Sequence, residues 1–95
     1  MRDYELVAMI NPEVDEEGVS RIIDTVAESI NNRGGTVEET KQWGKRKLAY
    51  PIEKFMEADY VLTRFKLGPK AVKELETEVG ASRDILRYLV VKLDD

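Results

Sequence analysis

The chain has 95 residues, no cysteine, no histidine and a formal net charge of −4. The missing cysteine and histidine exclude disulfide scaffolds, thiol nucleophiles, histidine general bases and conventional zinc sites. No apolar run approaches the ~18 residues of a membrane span, and the N-terminal residues lack the apolar core of a signal peptide. We therefore expect one small, soluble, cytoplasmic domain over residues 1–95, without a metal or cofactor.

The negative net charge hides a segregation of charge along the chain. Residues 1–40 hold ten acidic and three basic side chains, whereas residues 41–54 hold one acidic and five basic ones. A net acidic chain is an unusual partner for nucleic acid, but a concentrated basic segment is typical of a binding surface for anions. The middle of the chain is therefore the first candidate for a functional surface.

The first third of the chain predicts a strand followed by a helix. Every even position of Tyr4–Ile10 is apolar, as in a strand that buries one face. Asn11-Pro12 ends this strand, and Asp15 is a natural N-cap for a helix whose apolar residues recur at helical spacing from Val19 to Ile30. Gly34-Gly35 predicts the end of that helix.

The middle of the chain predicts a long β-hairpin. From Thr36 to about Leu48 the pattern favours a strand, and its polarity indicates an edge position. Pro51 follows in a segment that cannot form a central ladder, and a second β-run covers Asp59–Leu67. We interpret the two runs as the arms of one hairpin.

The last third predicts a second helix and a final strand. Gly68-Pro69 is typical of a helix start, Val72 to Val79 supplies an apolar face, and Gly80 closes the helix. Ile85–Leu93 is so β-branched and so continuously apolar that we expect a buried strand.

The element order β-α-β-β-α-β matches the ferredoxin-like, split βαβ arrangement. Right-handed crossovers then place both helices on one face of a four-stranded antiparallel sheet, which makes the fold class α+β. The first and last strands carry large side chains at both odd and even positions, and therefore on both faces of the sheet. This pattern predicts that the uncovered face of the sheet is not simply solvated.

The most informative segment is Lys41–Leu48, which holds four basic residues and Trp43 without an acid. Cations interleaved with an aromatic ring suit a phosphate backbone or the apolar anchor of a protein partner. A solvated edge strand also carries lysines, because they prevent pairing between sheets. Trp43 favours the binding interpretation, since a large ring on an edge strand is a poor device for avoiding contacts.

A second, smaller set of basic and tyrosine residues comes from the two ends of the chain. In the ferredoxin-like order the first and last strands are neighbours, so these residues are expected to lie near one another. On composition alone, ordinary surface charges are the better interpretation. The set comprises Arg2, Tyr4, Arg83, Arg87, Tyr88 and Lys92.

Adjacent carboxylates occur at Glu16-Glu17, Glu38-Glu39 and Asp94-Asp95. Neighbouring strand residues point to opposite faces, and acids in the first turn of a helix already interact with its dipole. We interpret all three pairs as solvated charges and find no catalytic constellation.

The segment Trp43–Lys54 resembles the sequence pattern of the sixth protein of the bacterial small ribosomal subunit. Further markers of that family occur along essentially the whole chain, namely Met1-Arg2-x-Tyr4-Glu5, Asn11-Pro12, Tyr60-Val61-Leu62, Arg83-Asp84 and Val90-Val91-Lys92. The resemblance implies a ferredoxin-like fold and a non-enzymatic role in the platform of the small subunit. In that family the protein binds 16S rRNA together with small-subunit ribosomal protein eighteen.

The resemblance also suggests which residues make these contacts. Contacts with rRNA are expected from Arg2, Tyr4, Arg46, Arg87 and Lys92. Contacts with the protein partner are expected from Trp43, Lys45, Lys47, Leu48, Tyr50 and Pro51, although Arg46 suits either surface. A very basic partner would supply the phosphate neutralisation that this acidic chain lacks.

Two other functions are compatible with the same topology. A stand-alone RNA-recognition module stacks bases on a glycine- and aromatic-rich run in its third strand, which Tyr60–Phe65 lacks. A small acyl-phosphate hydrolase needs an anion-binding loop after the first strand, but residues 11–17 are acidic. The RNA-recognition module remains the main alternative.

Overall fold

A computed structural model describes residues 1–93 and shows four strands and two helices. They are β1 (Arg2–Ile10), α1 (Glu16–Asn32), β2 (Thr36–Ile52), β3 (Phe55–Leu67), α2 (Pro69–Gly80) and β4 (Ile85–Lys92). All paired strands are antiparallel, and their order across the sheet is β2-β3-β1-β4. The predicted ferredoxin-like α+β fold is confirmed. Neither helix is long and apolar enough to cross a membrane within this part of the chain.

The ends of α1 follow the signals in the sequence. Asp15 is extended and its Oδ1 accepts a hydrogen bond of 2.8 Å from the backbone N–H of Gly18, as an N-cap requires. At the other end Gly34 has a φ of +82°. Gly35 then packs so closely that an added Cβ would lie 2.5 Å from the carbonyl oxygen of Lys66. The chain therefore needs both glycines to pass directly from α1 into the edge of the sheet.

The hydrophobic core lies between the two helices and one face of the sheet. The even-numbered residues of β1 from Tyr4 to Ile10 point into it, and Leu6 is only 1% exposed. Helix α1 contributes Val26 and Ile30, and α2 contributes Leu75. The alternation predicted for the first strand and the helical spacing predicted for α1 are both confirmed.

The last strand is not buried as expected, because β4 is the second edge strand of the sheet. The side chains of Tyr88 and Val90 pack against the core, but Leu89 and Val91 remain 55% and 40% exposed. The two helices cover one face of β4 only. The apolar residues at the alternate positions of β4, which suggested that the whole strand is buried, instead lie on the uncovered face of the sheet.

The hairpin of β2 and β3 is longer than predicted, since β2 runs through Pro51 to Ile52 and β3 begins at Phe55. A proline is tolerated there because β2 is an edge strand, as the sequence indicates. The pairing of β1 with β3 ends at Asp59. The part of the hairpin beyond this point, residues 46–58, therefore extends past β1, and we call it the hairpin tip.

Candidate interaction surface

The face of the sheet opposite the helices, the open face, has an apolar centre. Directly opposed residues of antiparallel strands share a face, so the register around Val7 and Met9 identifies the side chains that surround them. Leu62 is buried there without belonging to the core on the helix side. We call this group the apolar patch; it comprises Val7, Met9, Tyr60, Leu62, Leu89 and Val91.

Ion pairs occupy the end of the open face away from the hairpin tip. The Nη2 atom of Arg64 lies 3.1 Å from Oε2 of Glu5, and Nζ of Lys66 lies 2.9 Å from Oδ1 of Asp3. Both pairs join β3 to β1. Because their own carboxylates neutralise these cations, this end of the face has little net attraction for an external anion.

The basic residues of β2 and β4 are less neutralised. Lys41 pairs with Glu39 at 3.8 Å. The other five cations of these two strands are exposed and have no carboxylate at ion-pair distance within residues 1–93, namely Lys45, Arg46, Lys47, Arg87 and Lys92. Their charge is available to an external partner.

A β-bulge determines the position of Trp43. Trp43 and Gly44 together oppose Tyr60, and Gly44 has a φ of +80°, which glycine adopts without steric strain. The indole is 44% exposed, and the guanidinium carbon of Arg46 lies 5.4 Å from its ring centroid. The bulge thus presents a cation–π pair on the surface of an edge strand.

The hairpin tip reaches across to β4 through Tyr50. The pairing of β2 with β3 is irregular between Lys47 and Ile52, which bends this part of the hairpin. Nη1 of Arg87 donates a hydrogen bond to Oη of Tyr50, and the guanidinium lies 5.7 Å from the centroid of the phenol ring. A residue expected at the protein interface therefore contacts one expected at the RNA interface.

The position of Tyr4 argues against a contact between its ring and an RNA base. Its side chain is 7% exposed, and its ring centroid lies 5.6 Å from that of Phe65 in a stacked arrangement within the core. Tyr4 has the parity of the helix-facing residues of β1, so its ring is not available for stacking on a base. Among the other residues expected to contact RNA, Arg2 and Lys92 are exposed at the end of the sheet away from the hairpin tip. In the register of β1 and β4, Lys92 is directly opposite Tyr4.

The residues expected at the protein interface form two groups on β2. Lys45 and Lys47 pair with Asp59 and Glu57 of β3, so they lie on the face opposite to Arg46, which pairs with Ala58. Leu48 is half-buried, and Pro51 is exposed on the hairpin tip. The sequence interpretation did not include the apolar patch in the site. The large residues at odd positions of β1 and β4 were the signal for it.

The chain is thus an α+β protein with an acidic body, a basic edge hairpin and an apolar open face; among residues 1–93 no acidic side chains are grouped to hold a metal ion. The family model of ribosomal protein S6 matches residues 3–92, and the chain belongs to that family. The family resemblance seen in the sequence is therefore confirmed. Membership gives the chain a structural, non-enzymatic role in the small ribosomal subunit.

Full-length relatives and one solved structure agree with this assignment. The chain is 41% identical over 95 residues to the small ribosomal subunit protein bS6 of Heliobacterium modesticaldum, which covers 100% of this chain and 99% of the relative. It is 40% identical over 94 residues to the bS6 protein of Fusobacterium nucleatum, with 99% and 100% coverage. The crystal structure of 30S ribosomal protein S6 from Thermotoga maritima superposes with a TM-score of 0.91 at 31% identity, over 97% of this chain and 87% of that one.

Proposed function

We propose that this chain binds 16S rRNA in the central domain of the small subunit, the platform, together with small-subunit ribosomal protein eighteen. In this role it supports assembly of the subunit in the cytoplasm. The observation that carries the proposal is the juxtaposition of an exposed apolar patch with exposed cations that lack carboxylate partners. The apolar patch suits a protein partner, and the exposed cations suit a phosphate backbone.

The apolar patch favours a protein partner. Leu89 and Val91 are 55% and 40% exposed, beside the half-buried Val7 and Met9. Contiguous exposed apolar surface is characteristic of protein interfaces, since its burial removes apolar area from water. A basic partner would also be attracted by the net charge of −4.

The cations of β2 and β4 favour a polyanion. Arg46 and Arg87 have parities that place them on the open face, and each contacts an aromatic ring that restrains its guanidinium. Restrained guanidinium groups lose less side-chain entropy when they bind phosphate. The chain has few cations without carboxylate partners, and its net charge is negative. We therefore expect the chain alone to bind rRNA weakly, and the complex to bind more tightly because a basic partner adds its own phosphate contacts.

The alternative of a stand-alone RNA-recognition module is less compatible with the arrangement of the rings. Such modules stack two or three bases on aromatic residues of the two central strands. Here the central strands are β3 and β1, and within their paired residues, 2–10 and 59–67, Tyr60 is the only aromatic residue on the open face. Tyr4 and Phe65 stack on each other within the core instead.

A charge introduced into the apolar patch tests the proposal. Leu89→Glu is expected to weaken binding to ribosomal protein eighteen by at least tenfold in calorimetric titration, because a carboxylate would be desolvated in the interface. The control Ser20→Glu adds the same charge to the exposed surface of α1 and is expected to leave the affinity unchanged. Equal affinities of the two variants would exclude the patch as the docking surface.

A further inference from the structure

The contact between Tyr50 and Arg87 joins the two edge strands of the sheet, which are not neighbours. We propose that these two side chains form a single phosphate-binding pair, in which the guanidinium and the phenol hydroxyl donate hydrogen bonds to the same phosphate group. The inference rests on the proposed RNA-binding function and assigns Tyr50 to the RNA side of the surface.

The direction of the hydrogen bond leaves donors free on both residues. A guanidinium has several N–H donors and no acceptor, so Oη of Tyr50 is the acceptor in this contact. The hydroxyl keeps its own proton for another acceptor. Among residues 1–93 neither side chain has a further hydrogen-bond or ion-pair partner. The remaining N–H groups of Arg87 and the O–H group of Tyr50 are thus available together.

The contact also makes each group a better ligand for an anion. A cation that donates to the phenol oxygen polarises the O–H bond, and hydrogen bonds in such a chain strengthen one another. The ring of Tyr50 lies 5.7 Å from the guanidinium carbon and restrains the arginine. Phosphate presents several acceptor oxygens, so one group can accept from both residues.

The surroundings of the pair favour a phosphate of a polyanion over an isolated carboxylate. Tyr50 is 55% exposed, Arg87 is exposed, and within residues 1–93 no carboxylate lies at ion-pair distance from the guanidinium. Arg46, which shares the open face with Arg87, precedes Tyr50 on β2 and also lacks an ion-pair partner within residues 1–93. A nucleic-acid backbone on the open face would satisfy the pair and Arg46 with successive phosphates.

The decisive variants separate the hydroxyl from the charge. Tyr50→Phe keeps the ring and removes only the hydroxyl, whereas Arg87→Ala removes the guanidinium. The experiment measures how tightly the complex of each variant with ribosomal protein eighteen binds a platform fragment of 16S rRNA over a series of salt concentrations. Tyr50→Phe is expected to weaken binding about fivefold, as for one net hydrogen bond, with an unchanged salt slope because no charge is lost.

The coupling between the two residues is the critical result. In an Arg87→Ala background, Tyr50→Phe is expected to cause no further loss, because the phenol is no longer positioned or polarised. Independent, multiplicative losses would overturn the pair. The control Tyr88→Phe removes a hydroxyl from the opposite parity of β4 and is expected to leave rRNA affinity unchanged.

A second measurement separates the site from the function. Inorganic phosphate is titrated into the free chain while NMR follows the side-chain N–H signals of Arg87 and the ring signals of Tyr50. Shifts at both residues, reduced by Tyr50→Phe, support the site even where rRNA binding by the wild type fails and the proposed function is rejected. If the wild type binds rRNA and Tyr50→Phe weakens only the affinity for ribosomal protein eighteen, Tyr50 belongs to the protein interface and the pair is rejected.

Discussion

Arg87 and Lys92 lie on opposite faces of β4. Arg87 is paired with Met9, whose side chain belongs to the open face, and Lys92 is paired with Tyr4, whose ring lies in the core. The two cations were expected to contribute to one RNA-binding surface. An RNA strand that contacts both must therefore follow the edge of β4, where each side chain is exposed.

The double variant Arg87→Ala with Lys92→Ala tests this path. If each residue contacts one phosphate, the dependence of log K on log salt concentration is expected to fall by roughly one to two units, at ~0.7–0.9 per lost contact. Binding of the complex with ribosomal protein eighteen to rRNA is measured over a salt series. The control variant Lys70→Ala with Lys73→Ala removes the same charge from α2, and we expect no change in slope. An unchanged slope in the β4 variant would remove both residues from the RNA surface.

Truncation of Trp43 tests the role of the bulged edge. Trp43→Ala is expected to weaken binding to ribosomal protein eighteen by about tenfold or more, since exposed aromatic residues commonly anchor interfaces. The free energy of unfolding should change by less than about 1 kcal/mol, because the indole is 44% exposed and lies outside the core cluster. Calorimetry and urea denaturation measure the two effects. Loss of folding would show that Trp43 is a structural residue.

Gly44 is expected to be required for the geometry of the bulge. Gly44→Ala meets no steric obstacle, but it places alanine at a φ of +80°, which should lower the free energy of unfolding by about 1 kcal/mol. Gly44→Asn is the matched control, because asparagine adopts a positive φ more readily than alanine does. Urea denaturation of both variants measures the difference. Equal stability would mean that the bulge rearranges without strain.

Two leucines on opposite faces of the sheet separate stability from binding. Leu6→Ala is expected to destabilise the protein by about 2–5 kcal/mol, because Leu6 is 1% exposed and its loss leaves a cavity. Leu89→Ala removes a side chain that is 55% exposed, and its effect on stability should stay within about 0.5 kcal/mol. Leu89→Ala should nevertheless reduce affinity for the protein partner. A large loss of stability in Leu89→Ala would contradict an open face.

The fold was predictable because its local signals agree with one another. The alternation of β1, the cap at Asp15, the glycines after α1 and Pro69 at the start of α2 each specify one element. The final strand was harder to predict, since an apolar run such as Ile85–Leu93 has the same composition whether neighbouring elements of the same chain or a partner protein cover it. Only the strand order, which places β4 at an edge of the sheet, distinguishes burial by the same chain from burial by a partner.

The site was predictable in its elements but not in its arrangement. The basic residues and Trp43 of β2 were evident from composition, but the meeting of Tyr50 with Arg87 depends on the irregular pairing of the hairpin tip. Tyr4 was assigned to the RNA surface because of its place in a family pattern. Its parity on β1, which matches that of Leu6 and Ala8, was the better guide. Asp94 and Asp95, interpreted as solvated charges, lie outside the described residues.

The most direct test is the binding of the wild-type chain to a platform fragment of 16S rRNA, alone and with ribosomal protein eighteen, over a series of salt concentrations. The proposed function predicts weak binding by the chain alone and tight, salt-dependent binding by the pair, because the partner supplies the phosphate contacts that this acidic chain lacks. Equally tight binding by the chain alone would contradict the paired mechanism and identify a self-sufficient RNA-recognition module.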